Sequence, residues 1–119
     1  MPINFHNSNG VGIFTTTGDV DYREGIEVLT RGLQSIQSSD PLLVLFDLRQ
    51  SLEHRSTEEV ASIADLVKPY VLGTAKIALL AEADLYFGLS RIFSAYVEDA
   101  KITAQVFRDY DQALSWLME

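Results

Sequence analysis

Charged side chains with the means to hold an anion recur after three apolar runs of this chain. Asp47 and Arg49 follow Leu42–Phe46, Asp84 and Tyr86 follow Ile77–Ala81, and Arg108 with Asp109 follows Ile102–Phe107. Arg91 stands a short way beyond Asp84. Where strands run parallel, their carboxyl ends share one edge of the sheet, and the crevice there is the usual ligand site because helix amino termini point free amides at it. Arg49, Arg91 and Arg108 brought together at such an edge could grip a carboxylate or phosphate bidentately, with Asp47 orienting one guanidinium. The same residues have plainer uses. Asp84 and Asp109 are well placed as helix caps, and Asp47 could pair with Arg49 or Arg91 to tie the chain down.

An apolar pocket is the second chemistry in view, since Tyr86, Phe87, Phe93 and Tyr96 share one stretch and Trp116 lies in another. Aromatic residues at helical spacing more often pack a core or a dimer contact, with Tyr86 and Phe87 the more exposed of the set and Tyr110 at the surface. Material for catalysis is thin. Neither His6 nor His54 has an obvious carboxylate orienter in sequence, so any partnership would have to be spatial, and no serine sits in a Gly-x-Ser-x-Gly elbow. Gly10-Val11-Gly12 precedes no helix and lacks the third glycine of a dinucleotide fingerprint. No catalytic residue, metal ligand set or cofactor is expected.

The elements that must position these residues follow from periodicity. Ile3 and Phe5, then Val11, Ile13 and Thr15, alternate with polar neighbours around the turn Asn9-Gly10, which is a hairpin pattern. Tyr22, Ile26, Leu29, Leu33 and Ile36 recur at helical spacing behind Asp21 and Glu24, a capping-box-like start, and Pro41 closes the interval after that helix. Leu42–Phe46 reads as a central strand buried on both faces. Ser56 caps a second helix carrying Val60, Ile63, Ala64 and Val67 as far as Pro69. Ile77–Ala81 forms the next strand, Asp84 opens a third helix with Leu85, Leu89, Ile92, Phe93 and Tyr96 on one side, and Ile102–Phe107 is the last strand. Asp109 with Gln112 caps a closing helix. The order ββαβαβαβα calls for an α/β fold with a mixed, mainly parallel sheet after an antiparallel hairpin, one domain over residues 1–119.

Composition bounds the rest. The 119 residues carry 9 Lys and Arg against 17 Asp and Glu, a net charge of −8, with no cysteine. Such a balance argues against binding to a phosphate backbone, which draws its affinity from lysine and arginine. The uninterrupted apolar runs stop at five residues, where a membrane-spanning helix takes about twenty. The first residues show no basic patch ahead of an apolar stretch, so a soluble cytoplasmic protein is the expectation. The stretch around Phe87, Ile92 and Tyr96 carries more apolar bulk than one buried stripe requires, which points to a homodimer.

The element order is that of the sulfate transporter and anti-sigma antagonist (STAS) domains. Three stretches strengthen the likeness: Leu45-Phe46-Asp47-Leu48-Arg49, Phe87-Gly88-Leu89-Ser90-Arg91, and Val106-Phe107-Arg108-Asp109 running on to Ala113-Leu114-Ser115-Trp116-Leu117. On these the chain most resembles the SpoIIAA-like bacterial proteins, also described as STAS-like or CRAL-TRIO-like. It departs from partner-switching STAS domains where they place a phosphorylated Asp-Ser pair. Here Leu48–Arg55 reads as a longer loop, and Ser56 is not preceded by Asp. The resemblance implies a non-enzymatic module that binds a regulatory protein partner or a small apolar or anionic ligand. Its speculative site draws on Asp47, Arg49, Asp84, Tyr86, Phe87, Arg91 and Arg108. An apolar or lipid-like carrier is the alternative, and a small hydrolase or transferase has no motif behind it.

Overall fold

The computed structural model describes residues 3–18, 21–36, 41–51, 65–81 and 101–119. Strands β1 (Ile3–Ser8) and β2 (Val11–Gly18) form the expected hairpin. Its turn is made by Asn9 and Gly10, with φ of 53° and 85°. Two consecutive residues at positive φ form the turn whose twist matches that of the flanking strands, and Asn-Gly is the pair that tolerates it. The side chain of Asn7 accepts a hydrogen bond from the Gly10 amide at 3.1 Å.

Helix α1 (Tyr22–Ile36) follows, with the Gly25 amide bonded to the Asp21 carbonyl at 2.9 Å. Then come β3 (Leu42–Ser51), β4 (Ala75–Leu80), β5 (Ile102–Phe107) and helix α2 (Tyr110–Leu117). Residues 65–67, at the end of the expected helix from Ser56, are helical, and Lys68–Tyr70 tightens into a 3₁₀ turn carrying Pro69. The expected helix opening at Asp84 lies outside the described residues. The strands hydrogen-bond in the order β1-β2-β3-β4-β5, antiparallel in the first pair and parallel in the others. The mixed, mainly parallel sheet is therefore as expected, and the run Leu42–Phe46 is central.

One boundary differs. The chain from Leu48 to Ser51 continues β3 instead of opening a loop. Thr17 and Gly18 of β2 pair with Gln50 and Ser51 after a register slip between Thr15 and Thr17, and these added pairs keep the strand extended.

Strand alternation sends successive side chains to opposite faces. One face carries Phe14, Leu42, Val44, Ile77 and Leu79 against Val28, Leu29, Leu33 and Ile36 of α1, with Val67 in the same cluster. The other carries Val11, Ile13, Leu45, Ala78 and Leu80 against Ala113 and Leu117 of α2. On the α1 face Phe5, Phe14 and Phe46 are register partners on adjacent strands, with ring centroids 4.8 and 5.3 Å apart. Each close aromatic pair adds about 0.5–1.5 kcal/mol beyond simple burial.

Gly32 of α1 lies directly on this row. A Cβ there would stand 2.6 Å from the Phe14 ring and 2.8 Å from that of Phe5. Two effects of Gly32→Ala oppose each other. Helix propensity favours alanine by about 1 kcal/mol, while overpacking a filled core costs about 1–3 kcal/mol. Phe14 is wholly buried between two rings and has no space to yield. Gly32→Ala is therefore expected to lower stability by about 1–2 kcal/mol, read as a lower urea midpoint. A raised midpoint would show that α1 can ride outward at no cost.

Candidate functional site

The carboxyl end of β3 brings together Asp47, Arg49 and Tyr110. Asp47 and Arg49 are two apart in an extended strand, so both project from the face that α2 covers. Asp47 is 9% exposed and is the buried charged residue among those described. A carboxylate so placed is costly unless it is paired and fully hydrogen-bonded. Arg49 meets that need twice over. Its Nε donates to Oδ1 at 2.9 Å and its Nη2 to Oδ2 at 2.8 Å, the side-on fork that matches a planar guanidinium to a carboxylate. Its main-chain amide donates to Oδ1 as well, at 3.2 Å. At the register slip, where β3 carries one residue more than β2, the Thr16 hydroxyl donates to the Asp47 carbonyl at 3.4 Å.

Tyr110 closes the group from the side of α2. Its ring, half-buried against the Leu45 and Leu80 cluster, lies with its centroid 5.7 Å from Cζ of Arg49. Asp109 caps the helix, accepting from the Gln112 amide at 3.0 Å, as expected from the sequence. The opposite end of α2 has its own cation. Lys76 at the start of β4 donates from Nζ to the Trp116 carbonyl at 2.8 Å and stands 4.9 Å from the centre of the indole ring. A cation is favoured there because the last carbonyls of a helix lack partners within it and carry its negative end. Trp116 also packs on Phe107 at 5.5 Å.

Of the residues singled out from sequence, Asp47 and Arg49 are joined directly. Arg108 lies exposed in the bend between β5 and α2. Asp84, Tyr86, Phe87 and Arg91, and with them Phe93 and Tyr96, lie outside the described residues. Tyr110, expected at the surface, is instead half-buried. The signal for it was present: Tyr110, Ala113, Leu114 and Leu117 fall at the i, i+3, i+4, i+7 spacing of one buried stripe. Lys76, just ahead of the apolar run Ile77–Ala81, also meets α2, at its carboxyl end.

Chemically, Asp47 and Arg49 neutralise each other and tie the end of the central strand to the first turn of α2. The described residues include no group of three or more His, Cys, Asp or Glu placed to hold a metal ion.

No protein-family model matches the sequence, and no curated protein matches it. Solved structures do. One is an uncharacterized protein of the DUF3478 family with a SpoIIAA-like fold from Shewanella loihica PV-4. It is similar with a TM-score of 0.64 at 16% identity, over 97% of this chain and 91% of that one. Another is an anti-sigma factor antagonist from Mycobacterium paratuberculosis. Its TM-score is 0.60 at 12% identity, over 98% of this chain and 93% of that one. The likeness is one of fold: the chain has the SpoIIAA-like architecture that the sequence motifs implied.

The pair's unequal burial sets an unequal response to mutation, because the Arg49 side chain is 37% exposed and that of Asp47 only 12%. Arg49→Ala strands a buried carboxylate and is expected to cost about 1–3 kcal/mol. Asp47→Ala leaves a guanidinium that water can reach and costs less. The double variant is milder than Arg49→Ala alone, since no uncompensated charge remains. Chemical denaturation of the four proteins checks this, and strictly additive losses would reject a closed pair.

Proposed function

We propose that this chain is a non-enzymatic regulatory module that acts by binding a protein partner. The observation that carries the reading is the nearly end-to-end likeness to an anti-sigma factor antagonist, a protein whose role is recognition of another protein. A fold can host several functions, and the described site supplies separate support. Both oxygens of its buried carboxylate accept from Arg49, so the pair serves to seat α2. In this reading Arg49 belongs to Asp47, and an anion pocket shared with Arg91 and Arg108 is not required.

The carrier alternative asks for an apolar interior that admits a ligand. Along the described strands both sheet faces are filled, with Phe14, Leu33, Leu45 and Leu80 fully buried, which favours recognition at the surface over carriage inside. Among the described residues no helix is long and apolar enough to cross a membrane, in keeping with a cytoplasmic setting for such a module.

Two measurements test the reading. The purified chain, used as bait in extract of its source cell, should recover a discrete protein that re-forms a stoichiometric complex when purified, while native mass spectrometry shows no copurifying small molecule. A tightly bound small molecule together with no reconstituting protein would overturn it in favour of a carrier. The same reading includes a homodimer through the stretch around Phe87, Ile92 and Tyr96. Light scattering should give twice the chain mass at high micromolar concentration, and a monomer there would reject this part.

A further inference from the structure

We infer that the outward face of α2 is a docking groove for a basic, amphipathic segment of a protein partner, an assignment that rests on the protein-binding reading. An open groove of about 400 Å³ runs along this helix, lined among the described residues by Asp111, Gln112, Ser115, Trp116 and Glu119. Asp111 with Ser115, and Gln112 with Trp116, are four apart and share one side of the helix, and Glu119 lies just beyond its end. The groove therefore lies against one side of α2, which suits an extended or helical segment lying alongside.

Three observations select the occupant. The first is shape: the groove is broadly open and largely apolar, whereas small-ligand sites enclose most of the molecule they hold. The second is apolar exposure in an unexpected place. Met118, on the turn that ends α2, is 57% exposed, one of two large hydrophobic residues so exposed among those described. The indole of Trp116 is held from the sheet side by Lys76 and Phe107 and turns its remaining edge to the groove. Aromatic and methionine side chains pre-fixed by their neighbours are the ordinary anchors of a protein interface.

Charge is the third. From Asp109 to Glu119 the chain carries three side-chain carboxylates and no lysine or arginine, in a molecule of net charge −8. Asp111 and Glu119 flank the groove toward its two ends. Carboxylates there repel a nucleic acid backbone and an anionic membrane surface alike. They favour a segment whose apolar side chains meet Trp116 in the groove, with Met118 exposed just outside its lining, while its lysines or arginines meet the two carboxylates.

The probe is a synthetic 14-residue amphipathic peptide of leucine and arginine, with a counterpart in which every arginine is replaced by glutamate. Titrated into isotope-labelled protein, the arginine peptide should shift amides within residues 109–119 and change Trp116 fluorescence, and the glutamate peptide should do neither. The double reversal Asp111→Lys with Glu119→Lys should weaken binding at least tenfold with the circular dichroism unchanged and the melting temperature only slightly lowered, since both positions are exposed and Asp111 stands in the first turn of α2, where a carboxylate favours the helix. Raising salt from about 0.05 to 0.3 M should weaken the wild-type complex as well. Equal binding of both peptides, shifts elsewhere on the acidic surface, or an indifferent double reversal would overturn the groove. The two readings fail separately. A cellular partner whose affinity ignores the double reversal overturns the groove and leaves the regulatory reading. A groove that holds the arginine peptide as described, with a tightly bound small molecule and no protein recovered from the cell, sustains the groove and overturns that reading.

Discussion

A carboxylate buried beneath a helix has to be neutralised where it stands, and much of the described architecture on one side of the sheet answers to that need. Asp47 sits at the carboxyl end of the central strand with little access to water, and Arg49 supplies the charge and the donors from two residues along the same strand. For Arg49 to reach back side-on, β3 must stay extended past Asp47. Its added pairing with Thr17 and Gly18 beyond the register slip keeps it so. The guanidinium held in this way becomes a fixed cation beneath Tyr110, where its attraction to the ring adds about 0.5–1 kcal/mol to the seating of the first turn of α2.

The two ends of α2 are thus secured by the same kind of chemistry from neighbouring strands. Arg49 meets an aromatic residue at the amino end, and Lys76 meets a carbonyl and an indole at the carboxyl end. An eight-residue helix is too short to persist on its own intrinsic propensity. Ala113 and Leu117 give it an apolar seat, and the two cations fix its direction on that seat. The opposite face needs no such devices. There α1 spans fifteen residues, its buried stripe is wholly apolar, and the absence of a side chain at Gly32 admits the row of phenylalanine rings.

This division of labour bears on function. The likeness to solved structures is one of fold, and residues differ at most positions, so the fold by itself carries no binding specificity over to this chain. At the strand ends those side chains are internally paired. On α2, the cations that seat the inner side belong to β3 and β4, and the helix's own charge is Asp111, with Asp109 and Glu119 just beyond its ends.

The hairpin, α1, the central and last strands and the cap of α2 were legible in the sequence. Each is encoded by interactions within a few residues: Asn9-Gly10 for its turn, the period of Ile26, Leu29, Leu33 and Ile36, the apolar run from Leu42, and Asp109 for its cap. The family resemblance carried that order to a particular fold, and the solved structures agree. The extension of β3 to Ser51 was not legible, because it depends on where β2 slips register some thirty residues earlier. Nor was the choice of Arg49 as the partner of Asp47, or the burial of Tyr110, since composition and periodicity rank charges by type and spacing and leave their depth unstated. Local sequence determined which elements form. Tertiary packing decided which of their polar groups lose water, and burial is what forces a charge to find its partner.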